Sequence, residues 1–535
     1  MRTDQTATPH RLLPLTGHAV LAFLRNPIAA FFTLAFPLGF LVIVSAIVGD
    51  QTTGSGVPVT QYLVAPFAVF GVCQASFTLL AVDTAGLRES GVLLRLRATP
   101  VPVWTVLGAR IGASLVASGL AVVLLSVIGV LAYDVQIVWH KVPALLVTLL
   151  LGIVCCAALG LALATLTRTV LAAQALAQGL LIPLAFISDV FIVGANLPTW
   201  LDVTGSVLPL KHFARATAET FEPGGGYGFS PGHLAVLATW AAAGTLVVLL
   251  RFQWRPRALA ASREAAEPGT TAPTRLSPPR ERHMGPLALL GGQIAYALLG
   301  LRRDRLAVFF AVVFPALLLV LFPTVFGGSR VHGLAMAQYL FAGLVAYTAA
   351  VAGYVDMPEA VVGARANGVL KRLRGTPLPF RWYVAGRVGT ALVTALLGGA
   401  VLAGVGVGFL DVRLDAARLP AVLIGVVAGT VCFAALGLAV AALLPRARSL
   451  VAVTLGTLLP LCFVSEIFVV GDQPLPGGLT AFANVFPLRH LLQALLTATE
   501  PGGAGTGIAW EHLAVLAGWT AIALLVARPR MVIGR

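Results

Sequence analysis

Seven polar side chains set in otherwise apolar stretches are the first candidates for chemistry. Gln74, Gln174 and Gln178 carry amides, and Asp189, Asp356, Glu359 and Glu466 carry carboxyls. Polar groups in such surroundings are costly and mark ion, proton or substrate paths. Asp189 and Glu466 hold matching places in SDVFIVG (188–194) and SEIFVVG (465–471). There they bind a cation or a substrate amine, or else face water or pair with Lys211 or Arg489. Asp356 and Glu359 lie near the opposite end of an apolar run, with Asp83 at similar depth in the first half. Proton relay and pairing with loop arginines are the two readings.

A second kind of candidate is written twice. RLRATP occupies 95–100 and RLRGTP occupies 372–377. The first lies in the loop 83–110 and the second in the loop 358–387. In each, leucines alternate with basic residues over a stretch long enough for one or two helical turns, and Pro100 with Pro102, or Pro377 with Pro379, stops the helix. A short amphipathic helix of this kind presses its apolar side on a partner while its arginines stay wet. The alternative is a topogenic basic loop stiffened by prolines; duplication with matched leucines and prolines weighs against it.

These residues need a membrane scaffold. The 535-residue chain is 58% hydrophobic and 11% charged, against about 25% charged in soluble domains. Its apolar runs are solid and near the length of about 20 residues that crosses a bilayer, which predicts helices rather than a barrel. Spans are expected near 28–48, 60–82, 106–132, 143–166, 171–193 and 233–250, then near 307–326, 338–361, 384–409, 420–444, 450–470 and 512–527. The net charge of +15 suggests nucleic acid, but 29 of the 36 Lys and Arg fall in alternate loops and at the two ends. That is the positive-inside pattern; it excludes nucleic acid as the reason for the charge and places both termini in the cytoplasm.

The chain is an internal duplication. FP (36–37, 314–315), LGLA (159–162, 436–439), LPLKHF and FPLRHL (208–213, 486–491), and HLAVLATW and HLAVLAGW (233–240, 512–519) recur in order at an offset of 277 to 279. The predicted fold is an all-α polytopic membrane protein of two parallel six-span repeats, about 12 spans, related by an axis along the membrane normal. Its parts are a first half, 1–250, a cytoplasmic Arg- and Pro-rich linker, 251–290, and a second half, 291–535. HAVLAFLRNPIAAFF (18–32) and QIAYALLGLRRDRLAVFF (293–310) read as interfacial helices or as long tilted first spans. The segment around LPTWLDVTGSVLPLKHFARATAETF (197–221) reads as outer half-helices, re-entrant or capping the bundle.

The chain has no G-x-x-x-x-G-K-[ST], no HExxH and no catalytic triad; its five cysteines, all in apolar stretches, read as core residues. It is expected to be no enzyme and to hold no metal or cofactor.

Each half resembles the membrane subunit of an ABC-2-type exporter, of the kind found with drug and polyketide-antibiotic resistance ATPases. The resemblance rests on the interfacial helix, six spans, G-x-L-x-R-L-R-x-T-P and the broken outer segment. It implies that the loop between spans two and three is a coupling helix seated in a cytosolic ABC ATPase dimer, which carries ATP and Mg. Glu89, Gly91, Leu94, Arg95, Arg97, Pro100, Gly368, Leu370, Arg372, Arg374 and Pro377 are the implied coupling residues. The implied activity is outward movement of a hydrophobic or amphipathic small molecule across the plasma membrane, along spans two and five of both halves. Gln74, Phe77, Gln174, Gln178, Asp189 and Glu466 are the candidate path residues. Two departures stand out: Glu89 is matched by Ala366, and LPTWL by LPGGL (475–479). The alternatives are an ion-coupled secondary transporter, a lipid or polysaccharide ABC exporter, and a non-transporting membrane assembly protein.

Overall fold

The computed structural model describes residues 9–48, 57–98, 103–191, 198–251, 285–303, 308–326, 330–366, 368–376, 379–444, 447–468, 477–503 and 505–532. The predicted linker falls mainly outside these residues.

Among the described residues, nine helices are long and apolar enough to cross a membrane. In the first half these are span 1 (Pro27–Ser45), span 2 (Val59–Glu89), span 3 (Thr105–Tyr133), span 4 (Trp139–Leu166) and span 6 (Pro231–Arg251). In the second they are span 2′ (Met336–Arg365), span 3′ (Arg381–Phe409), span 4′ (Ala416–Leu443) and span 6′ (Trp510–Arg528). The other three expected crossings are shorter apolar stretches, Ala172–Ile187, Ala311–Thr324 and Val453–Val464, here spans 5, 1′ and 5′. The helices that contain them run Val170–Ile187, Phe309–Phe326 and Ala447–Val464. The protein is an all-α polytopic membrane protein; a two-residue hairpin, Arg330–Val331 with Leu334–Ala335, is the one strand pairing among the described residues.

Spans 2 and 2′ extend past their predicted ends at 82 and 361. Both helices run on to Glu89 and Ala366, so the basic loops are shorter than the sequence suggested. The first extension is anchored: Arg110 of span 3 pairs with Asp83 at 3.0 Å, and Arg88 is buried. Spans 1, 2, 1′ and 2′ each contain a wider π-helical turn, at Phe31–Ala35, Gln74–Leu79, Phe309–Val313 and Ala352–Asp356. Such turns shift the helical register and concentrate at functional sites.

The N-terminal helix Pro9–Leu24 is separate from span 1. The chain breaks at Arg25–Asn26, where the Asn26 side chain accepts the Ala29 N–H and Pro27 opens the next helix. Thr16 of this helix packs over Gly112, and Leu12 over Gly108, of span 3. Pro286–Arg303 lies on span 3′ in the same way, with Gln293 and Ile294 over Gly386 and Gly389. The break at Arg25–Asn26 thus separates the first helix from span 1, whereas residues 304–307, between the second helix and span 1′, lie outside the described residues.

At the end of the bundle opposite the two termini, helices Thr199–Val207 and Pro209–Phe221 separate spans 5 and 6. Pro209–Phe221 inserts Phe213 against Gly152, ten residues into the helix Val142–Leu166, which is about 15 Å along it. Leu491 of the matching helix, Pro487–Thr499, meets Gly429. Only a residue without a Cβ admits these side chains. The half-helices are thus re-entrant rather than a surface cap.

Candidate functional site

Each duplicated basic phrase folds as a six-residue helix, Val92–Arg97 and Val369–Arg374. Gly91 and Gly368 precede them, both at φ 70°. This left-handed conformation strains any residue with a Cβ, which explains the shared glycine. The two helices do not present equivalent leucines. Leu93 is buried at 1% exposure and its partner Leu370 is half-buried, whereas Leu94 is 42% exposed and its partner is the exposed Lys371. Leu94 and Lys371 are thus the outward residues, and Leu370 anchors its helix. Arg95 and Arg372 are exposed. Arg97 and Arg374 end their helices, but their side chains lie outside the described set, as do Pro100 and Pro377.

The dipeptide Arg88–Glu89 holds the first basic helix to the spans. Arg88 donates from Nη1 to the Ala164 carbonyl and from Nη2 to the Thr167 carbonyl, both at 2.6 Å. Val170 N–H donates to Glu89 Oε2 at 2.7 Å. A cation thus sits on the carboxyl end of span 4 and an anion on the amino end of span 5, each complementing the helix dipole it meets. In the second half the same places hold Arg365, which is exposed, and Ala366, which has no carboxyl. The sequence flagged Glu89; it missed Arg88, although an arginine recurs at 365.

The candidate path residues divide into two groups. Gln74 opens the π turn of span 2 and, like Gln178 of span 5, is buried. Gln178 Nε2 donates to Gln74 Oε1 across a long 3.5 Å, and Gln178 Oε1 has no partner among the described residues. Gln174 lies one turn from Gln178 and is half-buried, and Phe77 is half-buried within the same π turn. Its counterpart Tyr354 bonds Thr457 of span 5′ at 3.0 Å. Asp356 ends the π turn of span 2′, and Glu359 is exposed one turn later.

Asp189 and Glu466 are the second group. Both have positive φ, 58° and 64°, just past the ends of spans 5 and 5′. Glu466 is 4% exposed; its Oε2 lies 2.8 Å from Arg489 Nη1 in an ion pair, and its carbonyl accepts the Tyr339 hydroxyl. Asp189 pairs with Arg215 at 2.9 Å rather than with Lys211, because Asp202 takes Lys211. The second half has Thr480 and Gln493 in place of Asp202 and Arg215. One acid and one base are therefore added together, and the paired charges at this site balance in both halves.

The halves meet along two seams. Phe309 faces Gly179 of span 5, and Phe31 faces Gly456 of span 5′. Two ring contacts cross from half to half, Phe322 to Phe186 at 5.5 Å and Phe40 to Phe463 at 4.3 Å, joined within the first half by Phe186 to Phe191 at 4.9 Å and Phe191 to Phe40 at 5.2 Å. An apolar crevice between span 1 and span 5′ is lined by Phe31, Phe36, Phe40, Leu459 and Phe463.

Polar networks hold the re-entrant helices in both halves. Gln61 and Gln338 each donate to the chain after span 3 or 3′ and to the end of the re-entrant helix, at Phe221 and Thr499. Lys141 and Arg418 donate to its last carbonyls. His212 donates from Nε2 to Ser206, so its Nδ1 accepts from His233 Nδ1 at 2.7 Å; His490 repeats this with Asn484 and His512 at 3.1 Å. These pairs escaped the sequence reading, though both histidines recur inside the matched phrases.

The fold defines a multi-pass membrane protein whose two halves each carry a short glycine-capped basic helix at one end. Both halves match the family model for the ABC-2 type transporter, over residues 12–221 and 294–499. The chain belongs to the ABC-2 type transporter family, whose members are membrane components of ABC transporters and pair with an ABC ATPase. No curated protein matches it.

Proposed function

We propose that this chain is the membrane-spanning permease component of an ABC exporter, moving a hydrophobic or amphipathic small molecule of drug or polyketide type out of the cell. ATP and Mg are bound and turned over by a separate ATPase dimer in the cytosol. Both termini and both coupling helices face that side of the plasma membrane. The observation that carries the reading is the pair of glycine-capped basic helices, one in each half. An ATPase that closes as a dimer needs two such surfaces. Its closure would move the halves about their shared axis and change the affinity of the seam for cargo.

An ion-coupled transporter would need a carboxyl free to titrate along the path. Asp83, Asp189 and Glu466 are each paired with an arginine, so that reading would rest on Asp356 and Glu359 of span 2′. The test is affinity purification of the tagged protein from its native membrane, with wild type compared with Leu94→Asp and Lys371→Glu. A co-purifying ATPase activity, reduced in the variants, is expected. No ATPase with the wild type, together with transport that stops when the proton gradient is dissipated, would refute the proposal.

A further inference from the structure

At the end of the bundle opposite the two termini, the re-entrant segment of each half is tied to the following span by the same two bonds. Trp240 Nε1 donates to the Val207 carbonyl and Trp519 Nε1 to the Val485 carbonyl, both at 3.0 Å. The second bond joins histidines, His212 to His233 at 2.7 Å and His490 to His512 at 3.1 Å. The first of each pair donates its Nε2 hydrogen to a carbonyl, that of Ser206 at 2.8 Å or Asn484 at 2.9 Å. The Nε2 of the second lies 3.8 Å from Glu219 Oε1 in one half and 3.9 Å from Glu511 Oε1 in the other. Those carboxylates are not equivalent. Glu219 is on the re-entrant helix and Glu511 adjoins His512, while Thr497 and Gly232 stand at the matching places. Both halves thus build one geometry from different residues, which chance packing of two rings does not require.

A neutral imidazole has one donor and one acceptor nitrogen; the charged ring has two donors. With no added proton, the second histidine donates from Nδ1 to Nδ1 of the first. One added proton fits without loss, on Nε2 of the second histidine beside the carboxylate. Another has only Nδ1 of the first histidine left, where it sets N–H against N–H. The closed pair therefore holds one added proton at most, whereas separated rings hold two. The form that binds more protons is favoured as pH falls, so acid below the free-histidine pKa of about 6.5 opens the pair. The other charges at these contacts are engaged elsewhere. Lys211 pairs with Asp202, Arg215 with Asp189 and Arg489 with Glu466, and Lys141 and Arg418 donate to carbonyls at the ends of the re-entrant helices. Val64–Cys73, Val142–Leu166 and Val170–Ile187, which pack against these elements, carry no Asp, Glu, His, Lys or Arg, nor do Met336–Val351 and Leu419–Leu443 in the second half. All four rings are half-buried, so protons reach them from solution.

We propose that each histidine pair is a proton-operated clasp on the re-entrant helix, closed with no added proton or with one, and opened by the second. The tryptophan bond beside it does not titrate and stays as the hinge. Opening frees the first turn of Pro209–Phe221 and of Pro487–Thr499 from spans 6 and 6′. The clasp stands whatever the chain transports, and the solution it samples is the one bathing this end of the bundle.

The test is hydrogen–deuterium exchange on the full chain in phosphatidylcholine nanodiscs, which bathe both ends of the bundle in one buffer. With the intrinsic pH dependence of amide exchange divided out, protection of Pro209–Phe221 and Pro487–Thr499 is expected to fall about tenfold between about pH 7.5 and about pH 5. An asparagine amide turns to offer either an N–H or its carbonyl, so His233→Asn keeps the bond and removes the conflict. That variant is expected to match wild type at neutral pH and to lose the acid response in the first re-entrant helix alone, with the second still responding in the same molecules. His512→Asn should give the converse. No loss of protection in acid by wild type, or an undiminished response of the first helix in His233→Asn, would overturn the proposal.

Discussion

At the scale of single residues, the charges that hold the fold differ in how deeply they are buried. Glu466 is buried and Arg489 beside it nearly so, and removing Arg489 leaves a buried carboxylate with the exposed His332, 3.8 Å away, in its place. Arg489→Leu is expected to lower stability by about 3–5 kcal/mol, read as a fall in Tm of the detergent-solubilised protein, with Glu466→Gln in the same background recovering much of it. Asp202 behaves differently because it is exposed. The Lys211 ammonium beside it holds its carboxyl below the usual carboxylate range, first through their hydrogen bond and then through charge. The depressed value means that the pair stabilises the fold above the unfolded carboxylate pKa of about 4 and loses that contribution as pH falls through the lowered one. A scan of Tm against pH should therefore be flatter on the acid side for Asp202→Asn than for wild type; an unchanged slope would show that the pair contributes nothing.

At the scale of elements, the duplicated phrases predict the helices well because each span is a solid apolar run and each repeat confirms the other. The re-entrant helices were harder to place: their depth depends on Phe213 finding Gly152, and on Leu491 finding Gly429, contacts between positions about 60 residues apart. The π turns left no composition signal, since they arise from packing of spans already apolar throughout. Nor did the outward face of the coupling helices read correctly, because Leu94 and Leu370 look alike in sequence while only helix phase tells that one points out and the other in. Gly152→Val tests the re-entrant docking. Its added methyls collide with Phe213 and should cost about 1–3 kcal/mol, and Phe213→Ala in the same chain should restore most of the loss in Tm, since contacting sites are not additive. Failure of the second change to help would place the cost elsewhere in span 4. Gly91→Ala strains the left-handed turn by about 1–2 kcal/mol; with so short a helix, the expected reading is weaker ATPase association rather than global unfolding.

At the scale of the whole molecule, two halves with one plan need not do equal work. In the first, Arg88 and Glu89 connect the coupling helix to the facing ends of spans 4 and 5, so a push on that helix reaches the amide-bearing span directly. In the second, an exposed arginine and Ala366 stand in those places. If ATP-driven motion enters through both coupling helices, the first is the stiffer lever. Glu89→Ala removes a charge-assisted bond at a helix amino terminus, and the expected loss in cargo-stimulated ATPase turnover is about fivefold to tenfold, equivalent to roughly 1 kcal/mol. Lys371→Glu on the second helix should cost less than Leu94→Asp on the first. Ala366→Glu offers the amino end of span 5′ the carboxylate it lacks and should raise coupled turnover without changing ATP hydrolysis by the isolated ATPase. Equal losses from the two coupling-helix variants, and no gain from Ala366→Glu, would mean that both halves transmit force alike and that the carboxylate serves only to hold the loop.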